Sequence, residues 1–326
     1  MIKRTFALLL IYAFLFHSKH LFSVSSKHSL SVLETSSTRS RGMMNSGFLT
    51  GNDSSAVFLN SSSLMNVLRD SINLNYTLSS NPENEYIFNA SYAHIGASYA
   101  VGIGFASEIN KIYSYDNFGI KKNNIYNGLY LINLSAAYAV SEGSFIGANI
   151  KSIINNSRRD NNFGMFFDLS YMQSVFTPNF KLGMVIRNFG FYDNVFAKVD
   201  TEITASLAYI KSDNSFSISA QYTISVPSVS HNASLGLEAM IVDFNKLGLF
   251  EEKTAWYDDL PEEVLDKKRF SSKLPSGILA RVGVGNKGVS LGLSVYVKLF
   301  RLDYAVIFDN FSKDNISHDI GMSFIF

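Results

Sequence analysis

The chain has 326 residues, of which 47% are hydrophobic and 17% are charged, and its formal net charge is +1. This balance provides neither a basic footprint for nucleic acid nor an acidic tail. The complete absence of cysteine excludes disulfide scaffolds, thiol catalysis, cysteine zinc sites and a lipidated N-terminal cysteine.

The N-terminus has the layout of a secretory signal. Lys3 and Arg4 precede an apolar run at 6–16, and a serine-rich stretch follows at 23–26. Charged, apolar and small-residue regions in this order direct export. We therefore predict that residues 1–26 are a signal peptide. An uncleaved anchor helix is the alternative, but the apolar run is short for a helix that needs roughly 20 residues.

Residues 27–70 differ from the rest of the chain. They are small, polar and rich in glycine and serine, with short apolar patches and no sustained alternation. We interpret them as irregular structure with one or two short helices. Placed before a barrel, such a segment predicts a plug inside the lumen, and a flexible leader is the alternative.

From residue 71 to Phe326 the chain alternates apolar and polar residues. The clearest case is 215–226, SFSISAQYTISV, and successive side chains of a strand point to opposite faces of a sheet. No run there approaches the roughly 18 apolar residues that a spanning helix needs. Behind an export signal, this repetition favours a barrel with lipid outside and water inside over a soluble sandwich. The pattern predicts an all-β fold, a transmembrane antiparallel β-barrel of about 14 strands at 71–326.

Connector lengths indicate which end of the barrel faces outward. If both termini are periplasmic, the short turns at 141–143 and 211–214 face the periplasm, and the long segments 107–127 and 190–200 face outward. The charged connector at 244–276 breaks this rule, because strand parity puts it on the periplasmic side. Either the strand count is wrong there or the barrel carries an unusual periplasmic insertion.

Three stretches of the chain match motifs that are known from one protein family. The first has a strand with a lysine, a D-x-G-x-x-Y-like strand and a strand that ends in R-N-x-G. The second has an L-D-Y-A strand and an aromatic end, and the third aligns with an N-P-A-G-L plug motif. The matching residues are Lys151, Asp168, Tyr171, Arg187, Asn188 and Gly190 in the first stretch, Leu302 to Ala305 in the second, and Asn60 and Leu64 in the third.

In these motifs the chain resembles the FadL-like outer-membrane barrels, especially their PorV/PorQ-type branch. It departs from them at Leu169 and Ser170, where the family often has a glycine, and at Ser61 to Ser63, which replace proline, alanine and glycine. The resemblance implies a barrel with an N-terminal plug. It also implies two kinds of function, because the family is similar to both fatty-acid transporters and secretion-system components.

Charged side chains at inward strand positions are the candidate ligand-binding residues. A charge on the lipid face costs about 2–4 kcal/mol near the midplane, so their inward position fits a barrel. The candidates are Lys151, Asp168, Lys181, Arg187, Glu238, Arg281, Arg301 and Asp303. The guanidinium groups of Arg187 and Arg281 suit a bidentate contact with an anionic head group. The alternative is a ladder of compensating cross-strand pairs that also anchors the plug.

These observations favour transport without chemistry. The six histidines lack metal-ligand spacing, and no nucleophile or acid–base set stands out, so we expect no metal, no cofactor and no enzyme. We predict an exported outer-membrane barrel for passive uptake of a hydrophobic or amphipathic small molecule, such as a long-chain fatty acid. The expected partners are outer-membrane lipid and that ligand, and not nucleic acid. The alternatives are a secretion-linked or structural barrel that binds a protein through 244–276, and a general diffusion porin.

Overall fold

Fourteen antiparallel strands close into one barrel in the computed structural model of the chain. Each strand pairs with its neighbours along the chain, and the first strand pairs with the last. Closure leaves no strand edge unpaired, so the backbone hydrogen bonds are satisfied within the ring. The predicted all-β antiparallel barrel and its strand number are confirmed, and its membrane location and N-terminal plug stay predictions.

The structure describes residue 33 and residues 36–67, 69–79, 86–115, 121–156, 161–193, 199–247, 276–309 and 316–326. The predicted signal peptide at 1–26 lies outside these residues. The strands are β1 (Ser71–Ser79), β2 (Tyr86–Ile95), β3 (Tyr99–Tyr115), β4 (Lys121–Ser141), β5 (Ser144–Asn156), β6 (Asn161–Ser174), β7 (Phe180–Tyr192), β8 (Thr201–Ile210), β9 (Phe216–Val226), β10 (Ser230–Asp243), β11 (Gly277–Gly285), β12 (Gly288–Val297), β13 (Phe300–Asp309) and β14 (Ile316–Ile325).

The alternation in the sequence becomes the two faces of the barrel wall. In β5, Asn149 and Lys151 are buried in the interior, whereas Ile146 and Ile150 are 46% and 47% exposed on the outside. The same division holds in β1, where asparagine and threonine side chains point inward and Ile72 and its outward neighbours are apolar. The barrel therefore has an apolar exterior and a mostly polar interior.

The two ends of the barrel differ in what they carry. We call the end where β1 begins and β14 ends the terminal end, and the opposite end the loop end. The connector between β10 and β11 leaves and returns at the terminal end, where the Phe244 amide donates to the Ser276 carbonyl over 2.9 Å. The confirmed strand count thus assigns the 244–276 connector to the same end as the short turns at 142–143 and 211–215. Residues 248–275 themselves lie outside the described part.

Two predicted loops are shorter than expected. The segment 107–127 was predicted as a long loop, but β3 continues to Tyr115 and β4 begins at Lys121, with paired register from Ser107 to Tyr115. An antiparallel pair satisfies its own hydrogen bonds beyond the barrel rim, so polar residues there do not end the ladder. The segment 190–200 shortens in the same way, because β7 continues to Tyr192.

Residues 36–67, called here the N-terminal segment, contact inward-facing side chains of the wall. The segment contains helical turns at Thr38–Arg41 and Ala56–Leu59 and a 3-10 helix at Ser61–Asn66. It contacts β1 and β12–β14 through the first turn and β2–β6 through the 3-10 helix, so it lies in the lumen. In the described part of the chain, no helix combines the length and apolarity needed to cross a membrane.

Candidate functional site

Inward-facing glycines form the surface on which the N-terminal segment rests. A Cβ atom at Gly104 would lie 2.6 Å from the Phe58 ring, and one at Gly102 would lie 2.5 Å from a Val57 methyl group. Such distances are too short for non-bonded carbon atoms, so only glycine admits the segment this closely. The wall glycines whose added Cβ would crowd segment atoms are Gly102, Gly104, Gly147, Gly183, Gly236, Gly283, Gly292 and Gly321.

The residues of the plug-like motif hold the 3-10 helix in place. Asn60 is its N-cap and accepts hydrogen bonds from the Ser62 amide at 3.1 Å and the Ser62 hydroxyl at 2.6 Å. Ser61 bonds to the Ser170 hydroxyl of β6 at 2.9 Å, and Leu64 is fully buried in an apolar cluster. The serines that replace proline, alanine and glycine therefore donate to the Asn60 cap and bind the wall at Ser170.

Strands β10–β13 carry a buried chain of ion pairs. Arg281 lies between Glu238, at 2.5 Å, and Asp303, at 3.2 Å. Asp303 in turn accepts from Arg301 at 2.6 Å. These four side chains are almost fully excluded from solvent. Removing one partner from such a chain leaves its neighbour buried and uncompensated, which typically costs about 3–5 kcal/mol.

Two charged residues of the N-terminal segment complete this chain. Arg39 pairs with Glu238 at 2.6 Å, and Asp53 pairs with Arg301. We call Arg39 and Asp53 the ionic anchors. With them, the ion-pair chain holds three arginines and three carboxylates, so its charges balance. It fixes the N-terminal segment to the wall at two points.

A second polar cluster lies on β5–β7. Lys151 pairs with Asp168 at 2.6 Å, and the same carboxylate accepts from the Asn188 amide at 2.9 Å and from Asn149 at 3.0 Å. Asn188 has a positive φ of 60°, next to the register shift in the β6–β7 pairing. This irregularity turns the Asn188 amide toward Asp168, so the carboxylate is fully satisfied.

An apolar cluster connects the centre of the segment with the wall. We call it the septum, and its members are Phe48, Leu49 and Leu59 from the segment and Met172, Val185 and Ala208 from the wall. All are at most 5% exposed. Leu49 packs over Gly183, where any larger residue would displace it.

Two cavities lie on either side of the septum. The loop chamber, of about 290 Å³, is lined by Phe48, Leu59 and wall residues near the loop end such as Arg187. The terminal chamber, of about 960 Å³, is lined by wall residues near the terminal end, including Lys181 and Phe145, which packs against the septum. The N-terminal segment thus separates two partly polar spaces, and the septum is the apolar part of that boundary, beside polar contacts such as Arg39 with Glu238 and Ser46 with Ser219.

The structure distributes the predicted ligand-binding residues over four places. The ion-pair chain holds Glu238, Arg281, Arg301 and Asp303, and the β5–β7 cluster holds Lys151 and Asp168. Arg187 lines the loop chamber and pairs with Glu202 at 2.7 Å. Lys181 lines the terminal chamber and donates to Asn66 at 2.6 Å. Most of these charges therefore pair with each other, as the alternative of compensating cross-strand pairs predicts. Their role as ligand contacts stays a prediction.

Sequence reasoning missed the septum and the ionic anchors. Met172, Val185 and Ala208 occupy inward positions that the alternation assigns to polar residues, and this break in phase is the signal that identifies them. Arg39 and Asp53 were hidden in a segment interpreted as irregular, where a charge among many serines has no strand phase. Among the described residues, no group of three or more histidines and carboxylates is arranged to hold a metal ion.

No protein-family model matches the chain, and no curated protein matches it in sequence. Solved structures do match in fold. The CymD monoaromatic hydrocarbon channel aligns with a TM-score of 0.56 and 13% identity, covering 90% of this chain and 98% of its own. The toluene transporter TodX of P. putida aligns with a TM-score of 0.56 and 11% identity, over 90% and 99% of the two chains.

A FadL homologue from Pseudomonas aeruginosa aligns with a TM-score of 0.52 and 10% identity, over 89% of this chain and 97% of its own. At these identities the likeness concerns the fold. It confirms the resemblance to FadL-like barrels that the sequence motifs indicated, and the PorV/PorQ-type branch stays a prediction. The chain thus shares the closed-barrel fold of the FadL homologue and of channels for hydrophobic compounds.

Proposed function

We propose that the protein is an outer-membrane barrel for passive uptake of hydrophobic or amphipathic small molecules, with fatty-acid-like amphiphiles as the finer assignment. The apolar exterior supports membrane insertion, since outward residues such as Leu134, Leu182 and Leu293 are 44–51% exposed and suit lipid contact. The similar solved structures described as a toluene transporter and a monoaromatic hydrocarbon channel support the class of cargo.

The observation that carries this proposal is the buried apolar septum at the boundary between the two chambers. An ion or a sugar that crosses a buried apolar layer loses its hydration without replacement, which is costly. A hydrophobic molecule meets no such penalty, because the septum side chains of Leu49, Met172 and Val185 resemble its own surface. A barrier of this chemistry selects for apolar cargo.

The part of the segment that moves is short in our proposal. Residues 43–51 carry Phe48 and Leu49 and lie between the ionic anchors Arg39 and Asp53, and we call them the septum loop. The loop is built from turns, and its non-glycine residues Met44 and Asn45 have positive φ values of 51° and 60°. Residues in this region store modest strain, so an alternative loop conformation is accessible. The anchors keep the rest of the segment in the lumen while the septum opens.

A reversible cross-link tests this mechanism. The hydroxyl oxygens of Ser46 in the septum loop and Ser219 on β9 are 3.1 Å apart, which suits a disulfide between Ser46→Cys and Ser219→Cys. The matched control is Ser54→Cys with Ser91→Cys, whose hydroxyl oxygens are also 3.1 Å apart, outside the loop. The chain has no cysteine of its own, so each pair forms without competitors.

Purified variants in liposomes give the measurement, with labelled fatty acid or toluene as cargo. We expect the oxidised 46–219 pair to abolish uptake and a reductant to restore it, while the oxidised 54–91 pair keeps the rate of the unmodified protein. Equal rates for the oxidised and reduced 46–219 pair would contradict the proposed movement. No uptake by the unmodified barrel, with an intact circular dichroism spectrum, would contradict the function.

A structural or secretion-linked barrel is the second candidate, and the buried ion-pair chain favours it. Two charged anchors in a balanced network suit a permanently closed lumen, and the charged sequence of 244–276 suits contact with a protein partner. Deleting residues 248–274 separates the two functions. If the deletion removes a co-purifying partner and uptake is retained, this candidate is supported. If the deletion removes neither the partner nor uptake, this candidate is contradicted. Stable ion conductance of the unmodified protein in planar bilayers would instead indicate a general diffusion pore.

A further inference from the structure

The terminal chamber contains a lysine, Lys181, that forms no ion pair within the described part of the chain. Lys181 is the second residue of β7 and donates one hydrogen bond, to the side-chain oxygen of Asn66 at 2.6 Å. No carboxylate of the described residues forms an ion pair with it. An ammonium group has three donors and is costly to desolvate beside an uncharged amide alone. Its surroundings therefore favour an anion close to the Lys181 amine.

The other cations of this chamber are already paired. Arg39 shares Glu238 with Arg281 in the ion-pair chain, and Lys211, in the turn at the rim, pairs with Asp213 at 2.8 Å. This leaves Lys181 as the cation in the described chamber wall that is available to a ligand.

The same chamber also has an apolar surface. Its lining includes the side chains of Met65, Ala139, Phe145, Ile210 and Leu279. Its volume of about 960 Å³ is at the upper end of the roughly 300–1,000 Å³ typical of small-molecule sites. A cavity with one available cation and an apolar lining matches a ligand with a charged head and a hydrocarbon tail.

We propose that Lys181, held in place by Asn66, binds the carboxylate of an amphiphile in the terminal chamber, with the tail of the amphiphile against the apolar lining. The site lies on the far side of the septum from the loop chamber, so it receives a ligand that has already crossed. Lys181 supplies charge-assisted donors, and Asn66 orients the amine through its side-chain oxygen. The assigned role in uptake rests on the proposed function, but binding from the terminal end does not require transport.

Equilibrium binding in an uncharged detergent tests the site directly. The probes are decanoate, decanol and acetate, measured by calorimetry. The variants are Lys181→Met, which keeps the chain length and removes the charge, and Lys181→Arg, which keeps the charge. Lys211→Met is the matched control, because it removes a lysine of the same chamber that already has a carboxylate partner. Lys181→Gln is the second neutral variant should Lys181→Met fail to fold.

We expect the unmodified protein to bind decanoate more tightly than decanol and to bind acetate hardly at all. Neutral variants of Lys181 should lose on the order of tenfold or more in decanoate affinity, the usual value of a charged hydrogen bond, and leave decanol unchanged. Lys181→Arg should retain most of the preference for decanoate, and Lys211→Met should retain all of it.

Equal affinity for decanoate and decanol, or an unchanged decanoate affinity in Lys181→Met, would overturn the site. Acetate binding as tight as decanoate would also overturn it, because the tail would then contribute nothing. The outcomes separate the site from the proposed function. If decanoate binding depends on Lys181 but the barrel transports nothing, the site is supported and the proposed function is contradicted. If the barrel takes up hydrocarbons but does not prefer decanoate, the function is supported and the site is contradicted.

Discussion

The two sides of the barrel hold the N-terminal segment by different forces. On β10–β13 the contacts are buried ion pairs to Arg39 and Asp53, which are directional and costly to break. On β2–β8 the contacts are apolar side chains, as around Leu64 and Leu49, together with uncharged hydrogen bonds such as that between Ser61 and Ser170. Apolar packing is non-directional and tolerates sliding better than an ion pair. The difference suggests that one side fixes the segment and the other permits local movement.

Breaking the ionic side should have the largest effect. Arg301→Met leaves Asp53 buried without its cation and removes one of the two cations that pair with Asp303, so we expect it to lower the free energy of unfolding by about 3–5 kcal/mol. Thermal or urea denaturation in detergent measures the loss. The control is Arg187→Met, whose pair with Glu202 is partly exposed and should cost much less. Equal losses in the two variants would mean that the ion-pair chain does not hold the segment.

The next effect tests the apolar side. Leu49→Ala removes a fully buried side chain from the septum and should cost about 2–5 kcal/mol. It should also raise ion conductance in planar bilayers, because it removes an apolar side chain from the boundary between the two chambers. Leu64→Ala is the control, since Leu64 is equally buried in a cluster away from the septum. It should destabilise the protein to a similar extent without raising conductance, and a leak in both variants would contradict the septum as the barrier.

A smaller effect is expected from crowding the glycine surface. Gly283→Ala places a methyl group against the backbone of Met43 and Met44, and overpacking of this kind costs about 1–3 kcal/mol. We expect faster proteolysis of the septum loop. Gly285→Ala, on the same strand, crowds only the neighbouring strand at Ala233 and should leave that rate unchanged. Equal proteolysis rates in both variants would show that Gly283 does not determine how the N-terminal segment packs on the wall.

The sequence predicted the barrel far better than its contents. Strand phase follows from period-two alternation, which depends on local chemistry alone, and it assigned Lys151, Asp168 and Arg301 correctly to the interior. Which charges form ion pairs depends on the strand register and on the N-terminal segment, and the sequence contains no periodic signal for either. The pairing of Arg301 with Asp53 spans 248 positions of sequence, so only the closed barrel brings the two together. The prediction of a long loop at 107–127 was wrong for a related reason, because backbone pairing continues where side-chain alternation ends.

The smallest effect concerns Asp70, at the joint where the segment enters β1. Its carboxylate accepts from the His94 ring at 2.8 Å, the Ile95 amide at 2.9 Å and the Tyr92 hydroxyl at 3.1 Å. Partial burial alone would raise the pKa of Asp70, but these hydrogen bonds lower it below its usual value. Its carbonyl also accepts from the Phe326 amide at 2.9 Å, so the residue joins the segment to the seam between β1 and β14.

A group with a lowered folded-state pKa stabilises the protein above its usual pKa, and this contribution is lost as the pH falls through the lowered value. We therefore expect Asp70→Asn to cost less than about 1 kcal/mol at neutral pH, because the site is partly exposed. The difference between variant and unmodified protein should disappear in acid, below the usual aspartate pKa of about 3.9. Denaturation at several pH values measures it, with Asp193→Asn, an exposed aspartate directly after β7, as a control for general charge effects. A difference that persists unchanged in acid would show that Asp70 acts through packing rather than through its charge, and the joint would then belong with the apolar side of the barrel.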